Sequence, residues 1–372
     1  MRKVGFAVIG TGVMGSEHVK LIHEAENCRL VAVHDIDPSA FDRIPQGIRS
    51  EITCCSSPED FWHVNGIDAV LIAVPHYAHP DLAIAAMERG KHIIVEKPIA
   101  VHKADALRML EVGRKHPELV QSAMFCLRTI PAYIKIKQLI SDGELGEIHR
   151  ICWIITDWFR TQYYYDSGNW RASWSGEGGG VLLNQCPHQL DLMQWFFGMP
   201  KTVRAAVKLG KYHNIEVEDE VNAYLEYADG KTANFIASTG EAPGTNRLEI
   251  AGSRGKLVWE GGKLEFRRNE VESDRYIRES KQTMVPPPCW TCSIPIGKTD
   301  FSVHQAIIRN VASAILDGTE LIAPLAEGLN GLELGNAMLY SGLTGEVVDL
   351  PLDAGKYSDL LKKLIAGSHR KS

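Results

Sequence analysis

The chain has 372 residues, which suits two domains, because a single core rarely grows beyond about 250–300 residues. Hydrophobic residues make up 45% and charged residues 23% of the chain, which excludes a disordered or fibrous protein. The formal net charge of −6 and the absence of a long basic run argue against a nucleic-acid or membrane surface and favour a small-molecule ligand.

The first apolar run, residues 4–9, ends at Gly10 and is too short for the core of a signal peptide. No later stretch reaches 18 consecutive apolar residues, the length expected of a membrane-spanning helix. We therefore expect a soluble, cytoplasmic protein whose eight cysteines are reduced.

Through residue 125, short apolar runs alternate with helical stretches. The predicted strands are 4–9, 30–34, 69–74, 92–95 and 119–125, and the predicted helices are 13–25, 80–89 and 103–115. Continuous apolar runs of this length, separated by helices, are typical of parallel strands that are buried on both faces. Residues 1–125 are therefore predicted to form a doubly wound α/β domain of the Rossmann type.

From residue 126 to residue 372 the pattern predicts an α+β domain on a large, mainly antiparallel open sheet. After a helix over 131–140, the predicted strands are 147–155, 202–209, 220–227, 232–238, 247–250 and 256–259. Residues 267–295 are predicted to be an irregular loop. Helices over 301–316 and 325–343 are expected to pack back on the body of the protein, with the first domain as one candidate surface.

A Cys-x-x-Cys pattern, Cys289 and Cys292, lies in the predicted loop after three prolines. A zinc site would need a second pair at comparable spacing, and a thioredoxin-like motif would need a strand before it. We predict no metal site.

The segment 10–15 has the pattern GxGxxG between a predicted strand and a predicted helix. The first glycine allows a tight turn, the second lets the backbone approach a pyrophosphate, and the third permits close packing of helix on strand. The helix N-terminus favours the anion. The predicted dinucleotide contacts are Gly10, Thr11, Gly12, Val13, Met14 and Gly15.

Asp35 ends the second predicted strand, about 20 residues after these glycines, where a carboxylate would hold the ribose hydroxyls of a dinucleotide. A carboxylate repels a 2′-phosphate, so NAD is predicted rather than NADP. The alternative is that Asp35 or Asp37 only caps the turn beside Pro38.

Lys97 follows the predicted strand 92–95 in the triplet Glu96-Lys97-Pro98. Ligands of doubly wound sheets bind outside the carboxyl ends of the strands, so Lys97 is predicted to face the ligand. Pro98 restricts the backbone around Lys97 and allows a cis peptide bond. Without this fold context, a lysine after a strand would be read as solvated surface.

Residues 176–191 combine a glycine cluster with Asn184 and His188, which are four residues apart and could share one face of a helix. Pro187 suits the first turn of that helix, which is predicted to continue to Phe197. A lone histidine at a helix start is usually a packing residue, but the glycines and Asn184 favour function here.

The preceding segment, residues 163–171, collects aromatic and polar side chains in a predicted loop. Aromatic faces and hydroxyl-binding groups suit a polyhydroxylated ring, although a packed loop is the alternative for any one tyrosine. The predicted substrate contacts are Tyr163, Trp170, Arg171, Asn184 and His188, together with Lys97 and Arg128.

These motifs, in this order, resemble the Gfo/Idh/MocA family, named for glucose-fructose oxidoreductase, inositol dehydrogenase and rhizopine catabolism. The resemblance covers at least residues 4–197. It implies a Rossmann domain joined to an α+β domain whose open sheet commonly mediates homo-oligomers, here a dimer or tetramer. It also implies NAD-dependent hydride transfer at a sugar or cyclitol carbon.

Carried over residue by residue, the resemblance places Lys97 and His188 at the reacting hydroxyl, with Asn184 where many members have aspartate. Val74, Pro75, His79 and Glu96 join Lys97 as predicted cofactor contacts. The chain has His76 where the family often has asparagine. A subgroup with similar loops includes dehydrogenases of glycosides and sugar derivatives, some of which act at the 3-hydroxyl.

Histidine titrates near neutral pH, so His188 is the natural base, and Lys97 would polarise the oxygen; these roles could be exchanged. Two other functions stay open. One is a redox-neutral enzyme that processes glycosides through a transient 3-keto intermediate. The other is a dinucleotide-binding sensor without catalysis.

Overall fold

The structure is a computed structural model that describes residues 2–168, 170–298 and 302–368. Asn169 of the predicted substrate loop and Phe301, the expected first residue of a late helix, lie outside the described residues. The chain divides into two compact units. Unit 1 comprises Met1–Thr129, Gly176–Gly178 and Thr299–Leu332, and unit 2 comprises Ile130–Ser175, Gly179–Lys298 and Glu333–Ser372.

The strands, in chain order, are β1 Val4–Ile9, β2 Cys28–His34, β3 Thr53–Cys55, β4 Ala69–Ile72, β5 His92–Val95, β6 Gln121–Ala123, β7 Ile148–Ile155, β8 Thr202–Leu209, β9 Glu218–Glu226, β10 Thr232–Ser238, β11 Asn246–Gly252, β12 Gly255–Glu260, β13 Lys263–Asn269, β14 Cys289–Ile294 and β15 Val348–Asp349. The α-helices are α1 Val13–Glu24, α2 Gln46–Arg49, α3 Pro58–Trp62, α4 His79–Met87, α5 Lys103–Lys115, α6 Pro131–Ser141, α7 Gln162–Asp166, α8 Pro187–Phe197, α9 Ser273–Glu279, α10 Val303–Asp317, α11 Gly328–Thr344 and α12 Ala354–Ala366.

Unit 1 contains a six-stranded parallel sheet in the order β3-β2-β1-β4-β5-β6, which confirms the predicted Rossmann architecture. Every residue of β1 and β4 is buried, as expected of central strands covered by helices on both faces. The late helix α10 also belongs to this unit. Its Gln305 amide donates to the carbonyl of Leu21 in α1 at 3.2 Å.

Unit 2 contains a nine-stranded sheet in the order β14-β13-β12-β11-β7-β10-β9-β8-β15. The pair β7 and β10 is parallel and the other pairs are antiparallel, which confirms the predicted mainly antiparallel sheet. One face carries an aromatic core in which Trp153 of β7 contacts Tyr133 of α6 and Phe196 of α8. Alternate residues of β7 on the other face are half-exposed.

The prediction of an irregular loop over residues 267–295 was wrong. This segment contains the end of β13, the helix α9 and the edge strand β14. Five of the six residues of β14 are exposed, so the strand lacks the alternation of buried and exposed residues by which strands are recognised. Cys289 and Cys292 lie on β14 three residues apart, which directs their side chains to opposite faces of the strand.

No helix among the described residues is both long enough and apolar enough to span a bilayer. The short strands β3 and β15 and the helix α12 were not predicted. Each of the two strands has only two or three residues, too few for a periodic pattern.

Candidate active site

The glycine loop between β1 and α1 has the close packing that its sequence predicted. Gly10 adopts a φ of +87°, and a Cβ atom there would lie 2.4 Å from the carbonyl oxygen of Ala73. A Cβ on Gly15 would lie 1.8 Å from the carbonyl oxygen of Gly10. Both positions therefore require glycine, the first for its backbone conformation and the second for its packing against the loop.

Gly12 differs, because a Cβ atom there would meet no other atom within 4 Å. It caps the N-terminus of α1, where no side chain caps the helix and no acidic residue lies in the first turn. Among the described residues, the backbone N–H groups of Val13, Met14 and Gly15 have no acceptor, whereas that of Ser16 donates to the Gly12 carbonyl at 2.9 Å. An open cradle lined by free amides at a helix N-terminus fits the pyrophosphate of a dinucleotide.

Asp35, at the end of β2, is bound to the glycine loop. Its Oδ2 accepts hydrogen bonds from the backbone N–H and the hydroxyl of Thr11, at 2.7 and 3.0 Å. Its Oδ1 accepts the backbone N–H of Asp37 at 3.0 Å. A carboxylate offers about four acceptor positions, so the contacts that hold the loop leave capacity for a ribose hydroxyl.

Glu96 is buried after β5, and its carboxylate binds within unit 1. Oε1 accepts a 2.6 Å hydrogen bond from His18 of α1, and Oε2 accepts the backbone N–H of Lys97 at 2.9 Å. Burial acts to raise the pKa of Glu96, but the hydrogen bond and charge of His18, followed by the charge of Lys97, lower that pKa to about 2. The backbone at Lys97 is thus fastened to an ionised buried carboxylate.

The peptide bond between Lys97 and Pro98 is cis. His79 lies between this segment and the end of β4, with Nδ1 2.7 Å from the carbonyl oxygen of Pro98 and Nε2 2.8 Å from that of Val74. Burial lowers the pKa of His79, although both hydrogen bonds act in the opposite direction. His79 therefore ties two loops together, while Pro75 is exposed beside it.

Arg128 occupies a different environment from the other predicted substrate contacts. It is 2% exposed, and its Nη1 binds Glu327 Oε2 at 2.5 Å and the carbonyl oxygen of Ile322 at 3.1 Å. Its guanidinium is committed to the packing of unit 1.

The glycine-rich segment is where the chain passes from unit 1 to unit 2. Gly178 has a φ of +85°, and a Cβ there would lie 2.3 Å from Val101. The preceding carbonyl, that of Glu177, accepts from His76 Nδ1 at 3.2 Å. His76, which departs from the family pattern, is therefore a buried contact to this segment.

In unit 2 a buried carboxylate holds the turn that carries Asn184. The N–H of Gly180 lies 2.9 Å from both oxygens of Glu218, and the N–H of Leu182 lies 3.0 Å from Oε1. A Cβ on Gly180 would lie 1.9 Å from the carbonyl oxygen of Glu218. The glycine thus allows β9 to approach a π-helical turn, a feature frequent at functional sites.

Asn184 lies in this π-helical turn, Val181–Gln185, whereas His188 lies in the first turn of α8. The expectation that the two residues share one α-helical turn was therefore wrong, because the backbone at Cys186, between the two segments, is not helical. The prediction that Pro187 lies in the first turn of a helix that continues to Phe197 is confirmed. His188 is 8% exposed.

Tyr164, in α7, joins the substrate loop to the Asn184 turn. Its hydroxyl oxygen accepts from Arg171 Nη1 at 2.7 Å, from Asn184 Nδ2 at 3.4 Å and from Gln185 Nε2 at 3.5 Å. The Arg171 guanidinium also lies 4.6 Å from the ring centroids of Tyr164 and Trp170. Tyr164 and Arg171 therefore bring together three side chains that were predicted to bind substrate or act in catalysis, namely Trp170, Arg171 and Asn184.

The neighbouring tyrosines differ from Tyr164. Tyr163 is 81% exposed, whereas Tyr165 is buried and its hydroxyl lies 3.0 Å from that of Thr239. The sequence showed three adjacent tyrosines but did not show which one faces the Asn184 turn. His18 and Glu218 were not predicted as site residues either. Neither belongs to a motif, and each acts through contacts that are distant in sequence.

Two family models match this chain. Residues 4–124 match the oxidoreductase family with an NAD-binding Rossmann fold, and residues 133–258 match the GFO/IDH/MocA C-terminal domain. Together the two matches cover most of both units.

Several named relatives are dehydrogenases of sugars or cyclitols. The chain is 36% identical over 147 residues to inositol 2-dehydrogenase 1 of Saccharopolyspora erythraea, a match that spans 39% of this chain and 43% of that enzyme. It is 25% identical over 325 residues to levoglucosan dehydrogenase of Pseudarthrobacter phenanthrenivorans, which covers 77% of this chain and 80% of that enzyme.

Among solved structures, the WlbA dehydrogenase of Bordetella pertussis has the same fold. It superposes with a TM-score of 0.78 at 24% identity, over 95% of this chain and all of that one. The matches to the two family models agree with the observed fold, since the N-terminal unit has a parallel sheet with a glycine loop and the other unit has a large open sheet. The chain belongs to the Gfo/Idh/MocA family of oxidoreductases, whose N-terminal domain is an NAD-binding Rossmann fold.

Proposed function

We propose that this protein is an NAD-dependent dehydrogenase that oxidises a secondary hydroxyl of a sugar, glycoside or cyclitol, or reduces the corresponding ketone. The observation that carries the proposal is the cluster in unit 2, where Asn184, Arg171 and Tyr164 meet through hydrogen bonds beside the start of α8. Amide, guanidinium and phenol groups suit a ring that carries many hydroxyls. The 3-position of a sugar ring is our first candidate for the reacting carbon.

The cofactor contacts that we propose follow from the glycine loop. The free amides at the start of α1 would hold the pyrophosphate, and Asp35 would bind a ribose hydroxyl while it keeps Thr11 in place. Bound NAD supplies the hydride acceptor in the oxidative direction. The segments around Val74, Pro75 and Glu96 complete the proposed contacts at the ends of β4 and β5.

In the proposed reaction His188 accepts the proton of the substrate hydroxyl as the substrate carbon loses its hydride. Lys97 polarises the same oxygen and stabilises the negative charge that develops on it. The bond from Glu96 to the Lys97 backbone holds this residue in position. Asn184 can orient a hydroxyl by hydrogen bonding but, unlike an aspartate, it cannot share a proton.

The names of the relatives support this substrate class, because both act on small polyhydroxylated rings by name, inositol and levoglucosan. Tyr164, Arg171 and Asn184 form a polar cluster in unit 2, whereas the glycine loop belongs to unit 1, and the side chains of this cluster suit the hydroxyl groups of such a ring. No observation favours a redox-neutral enzyme or a sensor over a dehydrogenase.

The test is to screen neutral sugars, glycosides and inositols for NADH formation, and then to compare Lys97→Ala and His188→Ala with the wild type. Each substitution is expected to lower kcat by about 10²–10⁴-fold, the usual contribution of a general acid or base. NAD affinity, measured separately by fluorescence, should change much less in His188→Ala, because that residue lies in unit 2. If both variants retain turnover near that of the wild type, the proposed roles are wrong.

A further inference from the structure

Arg160 lies between β7 and α7, in the segment that leads to the substrate loop. Its guanidinium carbon lies 5.4 Å from the Trp158 ring centroid and 4.9 Å from that of Tyr164. Its guanidinium donates to the carbonyl of the adjacent Phe159 at 3.0 Å, while its Nε is buried without a partner among the described residues. No carboxylate of the described residues pairs with it.

Several other arginines of unit 2 form ion pairs with carboxylates. Arg150 and Arg247 both pair with Glu249, and Arg254 pairs with Glu272. A guanidinium that is half-buried against aromatic rings loses hydration, and this loss is normally offset by a paired anion. None of the carboxylates in the described ranges supplies that anion to Arg160.

Tyr164, whose ring lies against the Arg160 guanidinium, has an unused hydrogen-bond donor in its hydroxyl group. Its oxygen already receives a hydrogen bond from Arg171 at 2.7 Å and longer ones from Asn184 and Gln185, so the acceptor capacity of this phenol oxygen is used within the chain. The hydroxyl hydrogen has no acceptor within the part of the chain that the structure describes. It can therefore donate to an oxygen atom of a ligand.

Two guanidinium groups adjoin the same ring, since those of Arg160 and Arg171 lie 4.9 and 4.6 Å from the centroid of Tyr164. The Arg160 guanidinium and the hydroxyl donor of Tyr164 therefore belong to one cluster, which selects for negative charge more strongly than a neutral ring requires. Arginine suits this task because its planar group can bind a carboxylate or a phosphate with two hydrogen bonds.

We propose that Arg160, Tyr164 and Arg171 form a subsite for a negatively charged group of the substrate, a carboxylate or a phosphate. The substrate would then be a sugar acid or a sugar phosphate rather than a neutral sugar. This inference rests on the proposed dehydrogenase function and deepens it. The link to Asn184 through the Tyr164 hydroxyl places the anionic group beside a residue that we expect to contact the reacting ring.

The experiment compares matched substrates: a neutral hexose, its uronate and its 6-phosphate, each with the wild type, Arg160→Gln, Arg160→Lys and Tyr164→Phe. The measured quantity is kcat/KM for the anionic substrate divided by that for the neutral parent. Arg160→Gln is expected to lower this ratio about tenfold or more, because it removes a charged hydrogen bond, and Arg160→Lys should recover part of it. Comparing uronate with phosphate identifies which anion is bound.

Arg275→Gln is the matched control, since Arg275 is exposed on α9 and pairs with Glu279. It should leave the ratio unchanged. Thermal unfolding of each variant separates loss of the subsite from loss of the fold. A wild type that prefers the neutral sugar, or an Arg160→Gln variant with an unchanged ratio, would overturn the subsite and leave the dehydrogenase function intact.

Absence of turnover with every sugar would instead contradict the proposed function. In that case calorimetric titration with glucuronate and with inorganic phosphate tests the subsite alone. Binding that weakens about tenfold in Arg160→Gln but not in Arg275→Gln supports it. If the wild type binds neither anion, the subsite is refuted as well.

Discussion

Asp35 lies at the end of β2, and its carboxylate is bound to the glycine loop. It accepts both hydrogen bonds of Thr11 and thereby supports the glycine loop, and we propose that it also selects the ribose. An asparagine there would keep an acceptor for Thr11 while removing the negative charge. The two tasks can therefore be separated by a single substitution.

We expect Asp35→Asn to reduce the preference for NAD over NADP about tenfold, because the carboxylate would no longer repel a 2′-phosphate. The measurement is the ratio of kcat/KM for the two cofactors. Asp37→Asn is the control, since Asp37 is exposed and caps the turn at Ser39. An unchanged ratio in Asp35→Asn would show that this carboxylate does not determine cofactor choice.

Glu96 should make stability depend on pH. Its pKa is lowered from the usual 4.5 to about 2, so the ionised carboxylate stabilises the folded state above pH 4.5. That contribution is lost as the pH falls from 4.5 through 2. At pH 6 the free energy of unfolding of Glu96→Gln should therefore be lower than that of the wild type, by on the order of 2 kcal/mol. Between pH 6 and pH 3 this free energy should fall less in Glu96→Gln than in the wild type.

Urea unfolding at several pH values between 6 and 3 measures this effect. Glu111→Gln, on the exposed face of α5, serves as the control and should follow the wild type. Identical acid profiles for Glu96→Gln and the wild type would mean that His18 does not hold an ionised carboxylate in the folded protein.

At the scale of elements, the glycines of the loop between β1 and α1 have different physical roles although their pattern is one motif. A side chain at position 15 would collide with the backbone of Gly10, whereas one at position 12 would project into open space. A side chain at position 15 is therefore expected to affect folding, whereas one at position 12 is expected to affect only the binding of a ligand in that space.

Gly15→Ala is accordingly expected to lower the thermal midpoint markedly, by several degrees or more, because the helix must shift away from the loop. The free energy of unfolding of Gly12→Ala should lie within about 0.5 kcal/mol of that of the wild type, whereas its affinity for NAD should be at least tenfold lower. Differential scanning fluorimetry and NAD titration measure the two quantities. Equal NAD affinity in Gly12→Ala and the wild type would place the pyrophosphate elsewhere.

Elements with strong local patterns were predicted well, and those without them were not. The bounds of β5 and α5 agree with the prediction because a buried strand is a continuous apolar run and an amphipathic helix has a periodic apolar pattern. β14 escaped prediction because an exposed edge strand after three prolines has no such pattern. The π-helical turn at Asn184 depends on the distant carboxylate of Glu218, which no local pattern reveals.

At the scale of the whole molecule, the outward face of the large sheet is the predicted oligomer interface. Ile154 of β7 and Ile236 of β10 are register neighbours there and both are half-exposed. Adjacent branched apolar side chains on an open sheet face would be shielded from water by a second copy of the chain.

We expect Ile154→Glu to lower the molar mass measured by light scattering from that of a dimer or tetramer towards that of a monomer, because it would bury a charge in the interface. Lys362→Glu, on the exposed face of α12, should keep the mass of the wild type. A monomeric wild type, or an unchanged mass in Ile154→Glu, would refute this interface.

By itself, the sequence determined the class of fold, the glycine loop and the residue types available for chemistry, because each depends on short-range patterns: runs of buried residues, turns that require glycine and helix starts. Only the tertiary structure decided which side chains meet. It showed Asp35 bound to Thr11, Arg128 occupied by Glu327, and Tyr164 rather than Tyr163 bound to Asn184. Such contacts depend on the packing of segments far apart in the chain, and no local pattern records that packing.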